Sequence, residues 1–252
     1  MDEAKYQFED VFTSSQGYAN RFSGNIGQWL LSVQSEAIIR ALSKRANKGD
    51  NLLDFGGGHG QLIEVASALE LNPMILASHI DAFANLQQRL SIEVANSQKY
   101  SGFVAALLSI PCKDKAVSVV TCVRLLSHCD DWQHLISEMC RVSSDLVIVD
   151  YPPLASSNIL YKLLFPIKKI LEGNTRTFKI FTHKEIEIEF LANGFSLDQR
   201  IGQFFWPMVL HRKLKSVGIS KFLEKIAATF GLIYLFGNPS IAVFKRFTPF
   251  PP

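Results

Sequence analysis

The segment NLLDFGGGHG, residues 51–60, places an acid, Asp54, ahead of glycines at alternate positions, Gly56, Gly58 and Gly60, with Gly57 between the first two. A strand that ends at Asp54 or Phe55 and a helix that begins near Gly60 would make this a strand-to-helix turn. Glycines there permit positive φ and close backbone approach, while the helix N-terminus presents unpaired N–H groups. In an open parallel sheet such a turn borders the ligand crevice. A dinucleotide fingerprint needs a glycine where Gln61 stands, and the Gly-Lys-Ser/Thr of a P-loop is absent. The chemistry implied is a nucleotide-type cofactor held by other means. A second reactive stretch, VRLLSHCDDW, offers Arg124, able to bind an anion, and His128, whose imidazole can act as a base near neutral pH.

The elements around these residues follow from the hydrophobic pattern. Strand-like segments over 51–55, 74–78, 102–107, 117–123 and 146–150 alternate with amphipathic segments over 61–69, 82–94 and 132–142, which predicts a parallel sheet covered on both faces. Before them, Ile26, Leu30, Val33, Ile38 and Leu42 recur at helical spacing. After Asp150, residues 151–181 read as a loop, a helix and a lead-in. Thr182 and Glu185 then have capping-box spacing, Gly194 can end the helix, and a closing pair of strands follows, the last in PSIAVFKR.

The 252 residues, 48% hydrophobic and 19% charged, suffice for one well-filled domain. A net charge of +3 is too small to suggest a nucleic-acid partner. The four cysteines lack paired zinc-site spacing, so no metal is expected, and without a leader-like N-terminus they suit a reducing, cytoplasmic setting. The most apolar run, from Ile226, is about half of the roughly 20 residues that a membrane span needs.

With Asp54, Gly56, Gly58 and Gly60 in the register D-x-G-x-G-x-G, the sequence resembles the class I S-adenosylmethionine-dependent methyltransferases, most like the small-molecule group that includes quinone-ring methyltransferases. The resemblance extends through SIPCKDKAVSVVTCVRLLSHCDDWQHLISEMCRV and FTHKEIEIEFLANGF. It implies an α/β, Rossmann-like, seven-stranded, mostly parallel sheet with helices on both faces and the last strand antiparallel. The single domain would comprise an N-terminal helical cap (1–48), a cofactor-binding core (49–150), and lid helices with the closing strand pair (151–252). S-adenosylmethionine is the implied cofactor, its methionine moiety at the turn formed by Asp54, Gly56, Gly57, Gly58 and Gly60, and a small molecule is the implied acceptor.

Three positions depart from the family pattern. The acid that meets the ribose aligns with His79; a neutral imidazole accepts one hydrogen bond where a carboxylate accepts two. Losing one charge-assisted bond of roughly 1.5–3 kcal/mol would weaken binding about ten- to a hundredfold. Asp81 either folds back to replace that acid or caps the helix that follows. The acid for the adenine amino group aligns near Ala106 and Leu107, where backbone amides would have to serve, and a third aligns with Ser118. Val123, closing the fourth strand, would flank the cofactor.

On the acceptor side, His128 aligns with a histidine common in the small-molecule members and is the candidate base, with Arg124 for an anionic group and Tyr151 at the pocket border. Tyr18 and Arg21 lie in a polar-aromatic segment that in this family often folds over the cofactor, Arg21 toward the methionine carboxylate. Abundant phenylalanine in 159–181 and 204–236 suggests an apolar pocket for a lipophilic or aromatic acceptor. Arg212, Lys213, Lys215, Lys221 and Lys225 beside an apolar run suggest transient contact with the inner face of a membrane. A noncatalytic scaffold, or an enzyme that binds S-adenosylmethionine without transferring methyl, remains an alternative reading of the missing acids.

Overall fold

The computed structural model describes residues 9–57, 60–93, 100–160 and 178–247. Two short helices, α1 (Glu9–Ser14) and α2 (Gln16–Ala19), lead into α3 (Gly24–Leu42). Then β1 (Asn51–Phe55), α4 (Gln61–Ala68), β2 (Asn72–Ala77), α5 (Ile80–Glu93), β3 (Ser101–Val104), β4 (Val117–Cys122), α6 (Trp132–Val142) and β5 (Ser143–Tyr151) alternate as expected. The chain closes with α7 (His183–Ala192), β6 (Phe195–Gly202), the helices α8 (Met208–Leu214), α9 (Val217–Thr229) and α10 (Leu232–Phe236), and β7 (Ser240–Arg246). The seven strands lie in the order β3-β2-β1-β4-β5-β7-β6. Only β7 runs antiparallel to its neighbours.

Strand alternation sends successive side chains to opposite faces, and the core divides accordingly. Leu53, Val120, Val147 and Phe244 pack under α6 and α7, while Leu52, Val119, Ile148 and Val243 pack under α3 and α4. On the first face the Phe190 and Phe244 rings stack 3.7 Å apart. The α7 start is fixed by the expected capping box: Thr182 Oγ1 accepts from the Glu185 N–H at 3.2 Å, and Glu185 accepts from the Thr182 N–H at 2.7 Å. The order of strands reverses between β1 and β4, so the crevice at their carboxyl ends is the place for a ligand.

Several boundaries differ from the sequence expectation. β3 stops at Val104, and Leu107 leaves the strand to bury itself in the core. β5 starts three residues early because it follows α6 without a loop. α5 starts at Ile80, so Asp81 lies inside its first turn rather than before it. Within 151–181, the structure describes a 3-10 turn at Ser157–Leu160 and a bridge between Pro153 and Phe181. The helix expected between them lies outside the described residues.

Candidate active site

The turn after β1 has the form its glycines require. Gly56 and Gly60 adopt φ of +67° and +65°, and Gly60 directly precedes α4. A Cβ on Gly57 would stand 2.5 Å from Asp54 Oδ2, so the turn folds tightly over that carboxylate. Gly58 lies outside the described residues. Asp54 is buried and accepts from the Thr121 hydroxyl at 3.0 Å; burial pushes its pKa up to about 7 against that hydrogen bond. A narrow cleft opens here, lined by Thr13 of α1, the glycine turn, Gln61, Val123 and Arg124.

Two residues of this lining each carry a buried polar atom that hydrogen-bonds to no described residue: Gln61 Oε1 and Arg124 Nη1. The orientation of the Gln61 amide is set on its other side, where Nε2 donates to Leu31 O at 3.0 Å and Ser35 Oγ at 2.8 Å. The lining therefore brings together one unsatisfied acceptor and one unsatisfied cationic donor. That is the complement of an ammonium and a carboxylate, the two charges of an α-amino acid group. A donor bearing a methionine moiety fits these residues.

Arg124 is held in place by its backbone. It adopts φ of +62°, a conformation uncommon for a residue with a side chain, and its N–H donates to Asp150 Oδ1 at 2.6 Å. Asp150, at the end of β5, also accepts from Gln34 Nε2 at 3.0 Å. It is buried, and burial pushes its pKa up to about 6, opposed by the Arg124 N–H and guanidinium. The guanidinium lies over the Phe22 ring, 5.0 Å from its centre.

On its other side Arg124 borders a larger cavity of about 350 Å³, within the range of small-ligand sites. Its wall combines Tyr18, His128, Tyr151, Met208 and Val209 with a second arginine, Arg212. His128 ends a 3-10 turn directly after β4 and is half-buried. The Tyr151 hydroxyl lies 2.9 Å from His183 Nδ1, and burial pushes its pKa up to about 12. Behind this wall a buried pair ties α8 to α9: His211 Nε2 lies 2.9 Å from Glu224, which also accepts from the Phe205 and Trp206 N–H groups.

The sequence-derived residues thus divide. Asp54, Gly56, Gly57, Gly60 and Val123 line the cleft; Tyr18, His128 and Tyr151 line the cavity; Arg124 lines both. The others lie elsewhere. His79 and Asp81 pair with each other, Nδ1 to Oδ2 at 3.2 Å, with side chains 44% and 70% exposed, so Asp81 does not turn back to the cleft. Leu107 is a core residue, and Ala106 supplies a carbonyl to the Ser109 N–H. Arg21 packs its guanidinium 5.2 Å from the centre of the Tyr18 ring and borders a separate surface groove with Arg212 and Lys215. The cation in the cleft is Arg124. Sequence reasoning missed Asp10, Gln61 and Asp150; only Gln61, next to Gly60, carried a local signal.

The sheet order, the single reversed strand and a glycine turn at the switch point define a Rossmann-like fold of the methyltransferase kind. The methyltransferase-domain family profile matches residues 31–213, most of the chain, and the protein belongs to that family, whose methyl donor is S-adenosylmethionine. Among solved structures, magnesium protoporphyrin IX methyltransferase from Synechocystis PCC 6803, with SAH bound, superposes with a TM-score of 0.64 at 16% identity, covering 94% of this chain and 97% of that one. Geranyl diphosphate C-methyltransferase from Streptomyces coelicolor A3(2) gives 0.59 at 14% identity, covering 86% and 79%. The [4+2]-cyclase SpnF gives 0.58 at 14%, covering 85% and 81%. At these identities the likeness is one of fold. No curated protein matches the sequence.

Proposed function

We propose that this protein transfers a methyl group from S-adenosylmethionine to a small apolar molecule held in the cavity beside Arg124. The observation that carries this reading is the shared wall: a cleft whose lining holds a buried, unsatisfied acceptor and donor has Arg124 in common with an apolar cavity bordered by a histidine. The bound donor supplies an electrophilic methyl on a sulfonium. The chain's own part is to place it. Gln61 and Arg124 hold the amino-acid end, Asp54 and Asp150 offset positive charge, and Tyr18, Met208 and Val209 keep the acceptor against it while excluding water. Much of the acceleration then comes from proximity and orientation. His128 takes up the proton that an acceptor O–H or N–H must lose. Small-molecule acceptors of the structural neighbours, a porphyrin and geranyl diphosphate, are consistent with a cavity of this kind.

Calorimetric titration with S-adenosylhomocysteine should show saturable one-to-one binding, and its absence would refute the reading. In His128→Ala that titration should be unchanged, while labelled methyl transfer into a pooled lipophilic extract falls; equal transfer by both proteins would remove His128 from the chemistry.

A surface feature bears on how an apolar acceptor arrives. No described helix is long and apolar enough to cross a membrane. Yet Ile219, Phe222 and Ile226 lie exposed at helical spacing on α9, continued by Phe230 and Tyr234, which are 73% and 81% exposed. The exposed Lys213, Lys215, Lys221 and Lys225 flank this face, and Glu224, the one acid in α9, is buried against His211. An apolar ridge with a basic rim suits an anionic bilayer surface. The protein should sediment with vesicles containing phosphatidylserine and not with pure phosphatidylcholine, and Phe222→Asp with Phe230→Asp should abolish this. A concentration-dependent dimer without vesicle binding would assign the ridge to a second copy instead.

A further inference from the structure

The carboxyl end of β2 is where a Rossmann-like sheet meets a ribose, and a carboxylate there suits a vicinal diol because it accepts from both hydroxyls. β2 ends in Ala77, followed by Ser78 and His79, none of them acidic. His79 and Asp81 engage each other on the exposed start of α5. A carboxylate nevertheless stands at this place, and it comes from α1.

Asp10 is fully buried. Its Oδ2 accepts from the Ser78 N–H at 2.7 Å, and its Oδ1 accepts from the Ser78 hydroxyl, across 68 residues of sequence. Its Cβ lies 3.0 Å from where a Cβ on Gly56 would be, so the side chain bridges the glycine turn and the end of β2. α1 packs along α5, and Thr13, one turn beyond Asp10, lines the donor cleft. Burial raises the Asp10 pKa, and the two Ser78 hydrogen bonds oppose that rise. A buried acid is an unfavourable way to dock a short helix, since an apolar residue would pack without the desolvation cost. Its presence calls for a use of the charge.

We infer that Asp10 is the acid of the donor site, delivered by α1 in place of the acid that β2 lacks, and that it accepts from a ribose hydroxyl of the donor. This rests on the S-adenosylmethionine reading above. The Ser78 hydroxyl and a ribose hydroxyl are the same kind of donor, so an entering ribose exchanges one O–H for another without stranding the carboxylate. α1 thereby becomes part of the donor site.

The test is calorimetry of the wild-type protein and Asp10→Asn with S-adenosylhomocysteine and with its 2′,3′-dideoxyribose analogue. Asp10→Asn should weaken binding of the parent compound about ten- to a hundredfold, the worth of one charge-assisted hydrogen bond. It should leave the analogue's affinity unchanged. The wild type alone should prefer the parent compound by a similar factor, a comparison independent of how well the variant folds. Equal wild-type affinity for the two compounds, or equal weakening of both by Asp10→Asn, would reduce Asp10 to a structural role. Tighter binding by Asp10→Asn would show that α1 obstructs the groove, and this too overturns the proposal. Wild-type protein that binds neither compound would refute the donor reading itself.

Discussion

Gly57→Ala is expected to weaken S-adenosylhomocysteine binding by about a hundredfold or more while the protein still folds. The added methyl would stand 2.5 Å from Asp54 Oδ2, 3.0 Å from Asp54 Cγ and 3.1 Å from Ile75 Cγ2. Asp54 has nowhere to retreat, because it is buried in β1 and its other oxygen accepts from Thr121. Either that bond breaks, at roughly 1–3 kcal/mol for a buried group left short of a partner, or the turn moves outward into the cleft. Both outcomes displace groups that face the donor, and two hydrogen bonds to it weakened by roughly 1.4 kcal/mol each amount to about a hundredfold in affinity. The stability loss should lower the Tm by several degrees, at about 2–4 °C per kcal/mol for a chain of this size. Gly218→Ala is the control: its nearest neighbour would be 4.0 Å away and it lies in α9, so binding should match the wild type and the Tm should hold or rise slightly. Undiminished binding by a folded Gly57→Ala protein would mean that the turn does not hold the donor.

What the sequence disclosed about this site follows the range of the interactions involved. The turn from β1 into α4 was legible because strand, glycines and helix are consecutive, and each residue type has a local conformational reason to be there. The capping box before α7 was legible for the same reason. The charged framework was not. Asp10 reaches Ser78 across 68 residues and Gln34 reaches Asp150 across 116, distances over which no periodicity or turn rule operates. His79 occupied the position where an acid was sought, and Asp81 was the near candidate to replace it; the helix began early and turned both outward. Arg21 was the expected partner of the methionine carboxylate, and Arg124 was expected on the acceptor side. Only the positive φ at Arg124, tied to Asp150, places its side chain between the two pockets.

Donor affinity should rise with pH between about 5.5 and 7.5, with protons released on binding. Burial raises Asp54 to about 7 and Asp150 to about 6 from an ordinary value of 3.8. Near pH 6 the ligand-free protein therefore holds most of a proton on Asp54 and part of one on Asp150. An ammonium or sulfonium brought beside these groups favours their ionised forms. The free protein then binds more protons than the complex, and affinity increases with pH, by at most tenfold per unit for each proton released. The stability of the ligand-free fold has the opposite sign. Because both folded-state values lie above the unfolded one, their contribution is fully present below about pH 4 and is lost as pH rises through 6 and 7. The donor should accordingly raise the Tm more at pH 8 than at pH 5.5. Calorimetry at pH 6 in buffers of different ionisation enthalpy measures the released protons directly, and Asp54→Asn should remove the larger share. Proton uptake, or affinity flat across this range, would place the donor's positive charge away from both carboxylates.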